Sequence, residues 1–168
     1  MQKIVPSLWF DKECEEAINF YIEVFNGAPD SPKDSKIISL TRYPEDQQVG
    51  PMPDMAGKVL TVIFELAGQR FMALDGGPLF KFNESVSLYV ECKDQAEVDY
   101  FWGKLSAVSD SEQCGWLKDK YGLAWQITPD VLLEFLTDPD EKRKDRVMSA
   151  MMTMTKIEIE PLLEAAKG

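Results

Sequence analysis

No histidine occurs in this 168-residue chain. Histidine is the commonest metal ligand and the usual proton-transfer group near neutral pH. Its absence excludes Ser-His-Asp and Cys-His catalysis, HExxH zinc sites and the iron site of two histidines and a carboxylate. Cysteine is scarce too. Cys14, Cys92 and Cys114 are odd in number, widely spaced and free of any CxxC pair. They read as reduced thiols of a cytoplasmic protein filling small apolar sites, with reactivity at Cys114, beside Gly115, as the alternative. No apolar run reaches the roughly 18–20 residues of a membrane helix. The opening Met1-Gln2-Lys3-Ile4 lacks the apolar core of a secretory signal and reads as the start of a strand. Positive charge is short: 18 Lys and Arg stand against 29 Asp and Glu, for a net charge of −11. Nucleic acid and anionic membranes demand a basic surface, so neither is an expected partner. The acidic balance serves solubility and is compatible with a cationic ligand.

What is present is a globular composition, 45% hydrophobic and 28% charged, long enough for one well-buried core. A single domain over 1–168 is expected, with module one at 1–77, module two at 84–129 and a helical tail at 130–168. The modules follow from a repeat. Twice an apolar strand runs into an aspartate and then an amphipathic helix: Ile4 to Phe10, Asp11 and a helix to about Phe25, then Val86 to Cys92, Asp94 and a helix to about Leu105. The aspartates lie 83 positions apart, close to half the chain. Asp11 is the expected cap of the first helix, whose Cys14, Ala17, Ile18, Tyr21, Val24 and Phe25 form one buried stripe. Asn26-Gly27 supplies a left-handed stop. In the second copy Asp94 and Glu97 have capping-box spacing, and Val98, Phe101, Trp102 and Leu105 form the buried stripe.

After the first helix a strand is expected at Lys36 to Tyr43. Lys58 to Leu66 and Arg70 to Asp75 then form a hairpin about Ala67-Gly68-Gln69. Pro44 to Gly57 between them is long and irregular, either a lid or a solvated excursion. The second half has less room after its helix. Gly115 to Leu117 and Leu123 to Thr128 read as strands around a turn at Asp119 to Gly122, and one of the three strands due after the helix must be short or irregular. Helices are expected at Val131 to Leu136, Asp140 to about Met154 and Pro161 to Ala166. Val147, Met148, Met151 and Met154 stripe the second of these, as core or dimer contact, or as an adaptable binding face.

The order β-α-β-β-β, repeated, resembles the vicinal oxygen chelate (glyoxalase/bleomycin-resistance) superfamily. Leu8-Trp9-Phe10-Asp11, Glu16-Ala17-Ile18-Asn19-Phe20-Tyr21, Phe64 to Gln69, Phe71 to Gly77 and Gly115 to Gln126 are similar to its PhnB-like group, and the likeness is carried into the tail from Arg146-Val147-Met148. Many members of that group bear the label 3-demethylubiquinone-9 3-methyltransferase domain. The resemblance implies an α+β fold of two tandem βαβββ modules forming a curved mixed-sheet cup, with a C-terminal helical extension, and a homodimer. Methyl transfer is not expected, because no Gly-rich strand-to-helix turn of the usual S-adenosylmethionine type is present.

Superfamily enzymes hold a divalent metal at four places, which fall here on Ile4, Ala73, Ser87 (or Ser85) and Gln126. Ile and Ala cannot bind a metal, and Ser and Gln are poor ligands alone, so neither metal nor cofactor is expected. Period-two alternation from those positions puts Leu8, Phe10, Phe71, Ala73, Asp75, Ser87, Tyr89, Glu91, Gln126 and Thr128 in the cup lining. Ser87, Tyr89 and Gln126 would orient a ligand, or would bond one another. Tyr89, Asp75 and Glu91 are the candidates for acid/base catalysis. Three functions remain open: a binder of a small aromatic or amphipathic compound, as the drug-resistance relatives are; a metal-independent isomerase or lyase; and an assembly or regulatory module working through its tail.

Overall fold

Apolar side chains at every second residue decide the first sheet. The computed structural model describes residues 2–45 and 54–168, in two units, Met1–Phe82 and Asn83–Gly168. The first unit runs β1 (Ser7–Phe10), α1 (Cys14–Gly27), β2 (Lys36–Arg42), β3 (Val59–Leu66) and β4 (Gln69–Asp75). Its strands lie in the order β1-β4-β3-β2, with β1 parallel to β4 and the other neighbours antiparallel. Leu8 pairs with Ala73, Ala73 with Val62, Phe10 with Asp75 and Phe71 with Phe64. All of these are buried, so they form the core face of the sheet. Helix α1 buries Cys14, Ala17, Ile18, Tyr21 and Val24, as its spacing predicts, while Phe25, expected in the same stripe, is only half-buried.

Several local expectations change. Strand β1 begins at Ser7, and Ile4 is 86% exposed ahead of it. Asp11 does not cap α1. The cap position is Glu13, which makes no side-chain cap bond, and the Cys14 N–H at the helix start donates instead to Asp75 Oδ1 at 2.8 Å. Gly27 is the last helical residue, not a left-handed stop, since the chain leaves through extended Ala28. Asn26 secures the exit: its amide donates to the Ser35 carbonyl at 2.9 Å and accepts the Ser35 N–H at 3.0 Å. The β3–β4 hairpin closes on two residues, Ala67 (φ +45°) and Gly68 (φ +77°), with Gln69 already paired to Leu66. Paired positive φ values twist the loop to match the strands. Of the proposed lid, residues 46–53 lie outside the described residues.

The second unit runs β5 (Leu88–Cys92), α2 (Gln95–Leu105), a 3-10 turn (Ser109–Ser111), β6 (Trp116–Lys118), β7 (Ala124–Pro129), α3 (Asp130–Leu136), α4 (Glu141–Met151) and α5 (Ile159–Lys167). Its sheet has the order β5-β7-β6, with β5 parallel to β7. Val86, expected in β5, is 71% exposed outside it. Asp94 caps α2 as expected, accepting the Glu97 N–H at 2.9 Å, while Glu97 accepts the Lys93 N–H at 2.8 Å. The irregular third strand takes the form of the 3-10 turn and an isolated bridge, Gln113 to Trp116. The bridge turns through Cys114 (φ +51°) and Gly115 (φ +84°).

The tail is stitched to this turn. Cys114 N–H donates to the Met154 carbonyl and Gly115 N–H to that of Thr155, each at 2.9 Å. The Gln95 side chain donates to the Ile157 carbonyl at 3.2 Å and accepts the Ile159 N–H at 2.8 Å. Helices α3, α4 and α5 enclose a core of Leu132, Val147, Ile157, Leu162 and Ala166, with Met151 and Met154 packed against it. Met148 departs from the expected stripe and is 41% exposed.

Candidate functional site

In the first unit the alternation has the opposite phase to the one expected for a ligand cup. Asp75 reaches the first turn of α1, and residues two apart on a strand share a face. Phe71, Ala73 and Asp75 are therefore on the helix side, and their partners Leu8 and Phe10 with them. Leu8, Phe10, Phe71 and Ala73 are core side chains, with Phe64 and Phe71 stacked at 5.3 Å between centroids. The face away from α1 carries Trp9, Ile63, Met72 and Leu74, each partly exposed.

Asp75 is not a solvated strand-end acid. It is 1% exposed, accepts Cys14 N–H at 2.8 Å and accepts Val59 N–H at 3.1 Å through its other oxygen. Burial pushes its carboxyl above the usual aspartate range, and the two N–H bonds oppose that shift without cancelling it. The group is a staple between α1, β3 and β4. It also floors a cleft of about 500 Å³ whose rim includes Lys12, Glu13, Glu15, Arg42 and Lys58. Arg42 pairs with Glu15 at 2.7 Å, so that charge is neutralised within the rim.

In the second unit the expected phase holds. Val90 pairs with Ile127 and Leu88 with Trp125, facing α2, which buries Val98, Phe101 and Leu105. The opposite face is made of three rows. Trp116, Gln126 and Tyr89 form the middle row, one residue from each strand. Lys118 pairs with Ala124 on one side, and Thr128 with Glu91 on the other. Tyr89 is 47% exposed, and Trp116, Gln126 and Ser87 are partly exposed. Gln126 Nε2 donates to Ser87 Oγ at 2.8 Å. Ser87, Tyr89, Glu91, Gln126 and Thr128 thus share one face, and Trp116 is the member that sequence reasoning left out. Its register opposite Gln126 across the β6–β7 turn was the available signal. Lys118 is held by an ion pair to Glu84.

The four places compared with metal ligands are not alike. Ile4 is exposed outside β1, Ala73 is in the core under α1, and Ser87 and Gln126 bond each other. Ser85 is exposed, with its N–H and hydroxyl on Asn83. Among the described residues, no group of three or more Cys, Asp or Glu side chains is gathered so as to hold an ion. Cys14 and Cys92 are buried, and burial is the main cause that pushes both thiols up, Cys92 to about 12. Both stay protonated and unreactive.

The family model for 3-demethylubiquinone-9 3-methyltransferase matches residues 2–128. A Bacillus cereus PhnB protein with the same methyltransferase designation is 36% identical, with a TM-score of 0.60 over 76% of this chain and 99% of that one. The chain belongs to this PhnB-like family. Protein PA1353 from Pseudomonas aeruginosa, 19% identical over 77% of this chain and 98% of its own, shares the fold at a TM-score of 0.51. No functionally curated protein matches. The PhnB-like match ends within β7, so α3, α4 and α5 lie outside it, Arg146-Val147-Met148 included. The helical tail is what this chain adds to the matched PhnB-like region.

Proposed function

We propose that the protein binds a small aromatic or amphipathic molecule, without a metal, on the face of the β5-β7-β6 sheet turned away from α2. Gln126, set between the partly exposed rings of Tyr89 and Trp116 and hydrogen-bonded to Ser87, carries this reading. Such a face offers apolar contact area and a few placed polar groups, which is the make-up of small-molecule sites. Metal-dependent chemistry has little support, because Ile4 and Ala73 offer no donor atom and Ser87 and Gln126 are weak donors already engaged with each other. Methyl transfer has little support either. The turn from β1 into α1 is Asp11-Lys12-Glu13 and that from β5 into α2 is Lys93-Asp94, neither with a glycine to approach a cofactor.

Native mass spectrometry of freshly purified protein, with metal analysis on the same sample, tests the proposal. A small organic molecule is expected to travel with the chain and to be lost from the Tyr89→Ala variant. Stoichiometric zinc, iron or manganese would sink it. An isomerase or lyase using Tyr89 would instead show turnover abolished by Tyr89→Phe. A working role for the tail draws support from Leu133 and Met148 on the added helices and Met152 just past α4, which are 49%, 41% and 57% exposed. That reading requires a homodimer, checked by sedimentation, that Met148→Lys with Met152→Lys dissociates.

A further inference from the structure

We infer that the ligand of this face is a neutral or cationic planar ring carrying a hydrogen-bond donor and an acceptor side by side on one edge, clamped between Tyr89 and Trp116. The inference rests on the proposed ligand face and narrows it.

The register supplies the clamp. Tyr89, Gln126 and Trp116 are paired straight across three neighbouring strands. Strands lie about 4.8 Å apart, so the two aromatic residues leave the backbone about 9.6 Å apart. A ring inserted between two rings at van der Waals contact needs about 7 Å. A modest lean of each side chain toward the other closes that difference. A thicker, saturated ring would require the clamp to splay.

The amide at the base supplies the edge contact. Gln126 spends one N–H on Ser87 Oγ, which fixes the amide plane. The Gln126 carbonyl oxygen and the Ser87 hydroxyl hydrogen have no other partner among the described residues. They present an acceptor and a donor from adjacent groups, with the second Nε2 N–H of Gln126 as a further donor. A ring edge with an N–H beside a C=O satisfies both at once, whereas an aliphatic ligand would cover both unpaired, which burial penalises. The surrounding charge selects against anions: Lys118 is neutralised by Glu84, and exposed Glu91 lies in the adjoining row.

Calorimetric titration of the full chain tests the inference with three probes: 2-quinolone, N-methyl-2-quinolone, which blocks the donor, and cyclohexanecarboxamide, which has a similar edge and no flat ring. The expected order is 2-quinolone at least tenfold tighter than either of the others. Gln126→Leu should erase the preference for 2-quinolone over its N-methyl form, whereas Ser87→Ala, which removes the donor to the carbonyl both probes share, should weaken both. Tyr89→Ala should weaken both quinolones alike, and as a half-exposed position it keeps the fold, checked by the thermal midpoint. Equal binding of the two quinolones, or cyclohexanecarboxamide binding as tightly as 2-quinolone, overturns the clamp and leaves the ligand face standing. Binding of none of the three also overturns it. The ligand face falls with it when purified protein carries no small molecule that Tyr89→Ala releases.

Discussion

The two units solve the same problem with different parts. Each must fix the start of a helix against a sheet whose first strand is parallel to its last. In the second unit Asp94, one residue ahead of α2, closes a local loop with Glu97. In the first unit the acceptor for α1 is Asp75, 61 residues away at the end of β4. A local cap sits at the surface and trades one hydrogen bond with water for another. A remote cap ties three elements together, is buried, and has no water to fall back on. The units differ at their turns as well. The β3–β4 turn is two residues, Ala67 and Gly68, with a single side-chain contact among the described residues, the Ser35 hydroxyl accepting the Ala67 N–H at 3.1 Å. The β6–β7 turn is organised around the buried Asp119, whose Oδ1 accepts N–H groups from Tyr121 at 2.8 Å and Leu123 at 3.1 Å and whose Oδ2 accepts Trp125 Nε1–H at 2.8 Å.

The strongest way to break the comparison is at Asp119. Alanine there strands three donors, each costing about 1–3 kcal/mol when left unpaired away from water, so a loss of about 4 kcal/mol is expected. Urea unfolding followed by circular dichroism measures it. A loss under about 1 kcal/mol would show that the turn holds without its carboxylate. Asp75→Ala strands two donors, Cys14 N–H and Val59 N–H, for about 3 kcal/mol.

Asp75 also predicts a pH slope. Its folded-state pKa is raised, so the native chain holds that proton more tightly than the unfolded chain. The associated stability is present below the ordinary aspartate value and is lost as the pH rises through the raised one. Asp99 in the second unit runs the other way. The Lys156 ammonium, and then the Gln95 amide, hold its carboxyl low, so its contribution is present above the ordinary value and lost as the pH falls. Asp75→Asn should remove a decline in stability on the alkaline side of pH 4, and Asp99→Asn a decline on the acid side. Unfolding midpoints across that range decide it, and slopes of the same sign would refute the contrast.

How much of this was legible follows from whether the cause was local. The capping box at Asp94 and Glu97, the stripes of α1 and α2 apart from the half-buried Phe25 and Trp102, and the side-chain direction of Ser87, Tyr89 and Gln126 depend on residues within a few positions, and the structure keeps them. Asp11 looked like a cap for the same local reason. It lost that role to a carboxylate brought in by the β1–β4 pairing, which no window of sequence displays. The phase of the first sheet was hidden in a similar way. Leu8, Phe10 and Trp9 are all apolar, so alternation alone did not say which set faces α1. The tail's grip on Cys114 and Gly115 is backbone to backbone and leaves no side-chain signature.

Glycine separates the two hairpin-like turns at a smaller scale. Gly68 has φ +77° and nothing within 4 Å of an added methyl group, so Gly68→Ala should cost only the left-handed strain, about 1–2 kcal/mol. At Gly115, φ is +84° and an added methyl would lie 3.0 Å from the Ile127 carbonyl oxygen and 3.1 Å from Ile157 Cγ1. Crowding adds to strain there, for about 3 kcal/mol. Since Ile157 belongs to the tail core, Gly115→Ala and Ile157→Ala should couple by about 1 kcal/mol in a double-mutant cycle. Strict additivity would mean that the tail does not press on this turn.

The smallest expected effect is at Asp94. Alanine there removes one exposed cap bond, and because the Glu97 N–H then turns to water the loss should be about 1 kcal/mol. Asp94→Asn, which keeps an acceptor at the same reach, should cost only a few tenths. The same pair of substitutions at Asp75 should behave differently. Asn offers one acceptor oxygen where two N–H groups converge from opposite sides, so Asp75→Asn recovers only part of what Asp75→Ala loses. The ratio of the Asn to the Ala effect, measured by urea unfolding at both sites, therefore reads out whether a cap is local and hydrated or remote and buried. Equal ratios would erase the distinction between the two units.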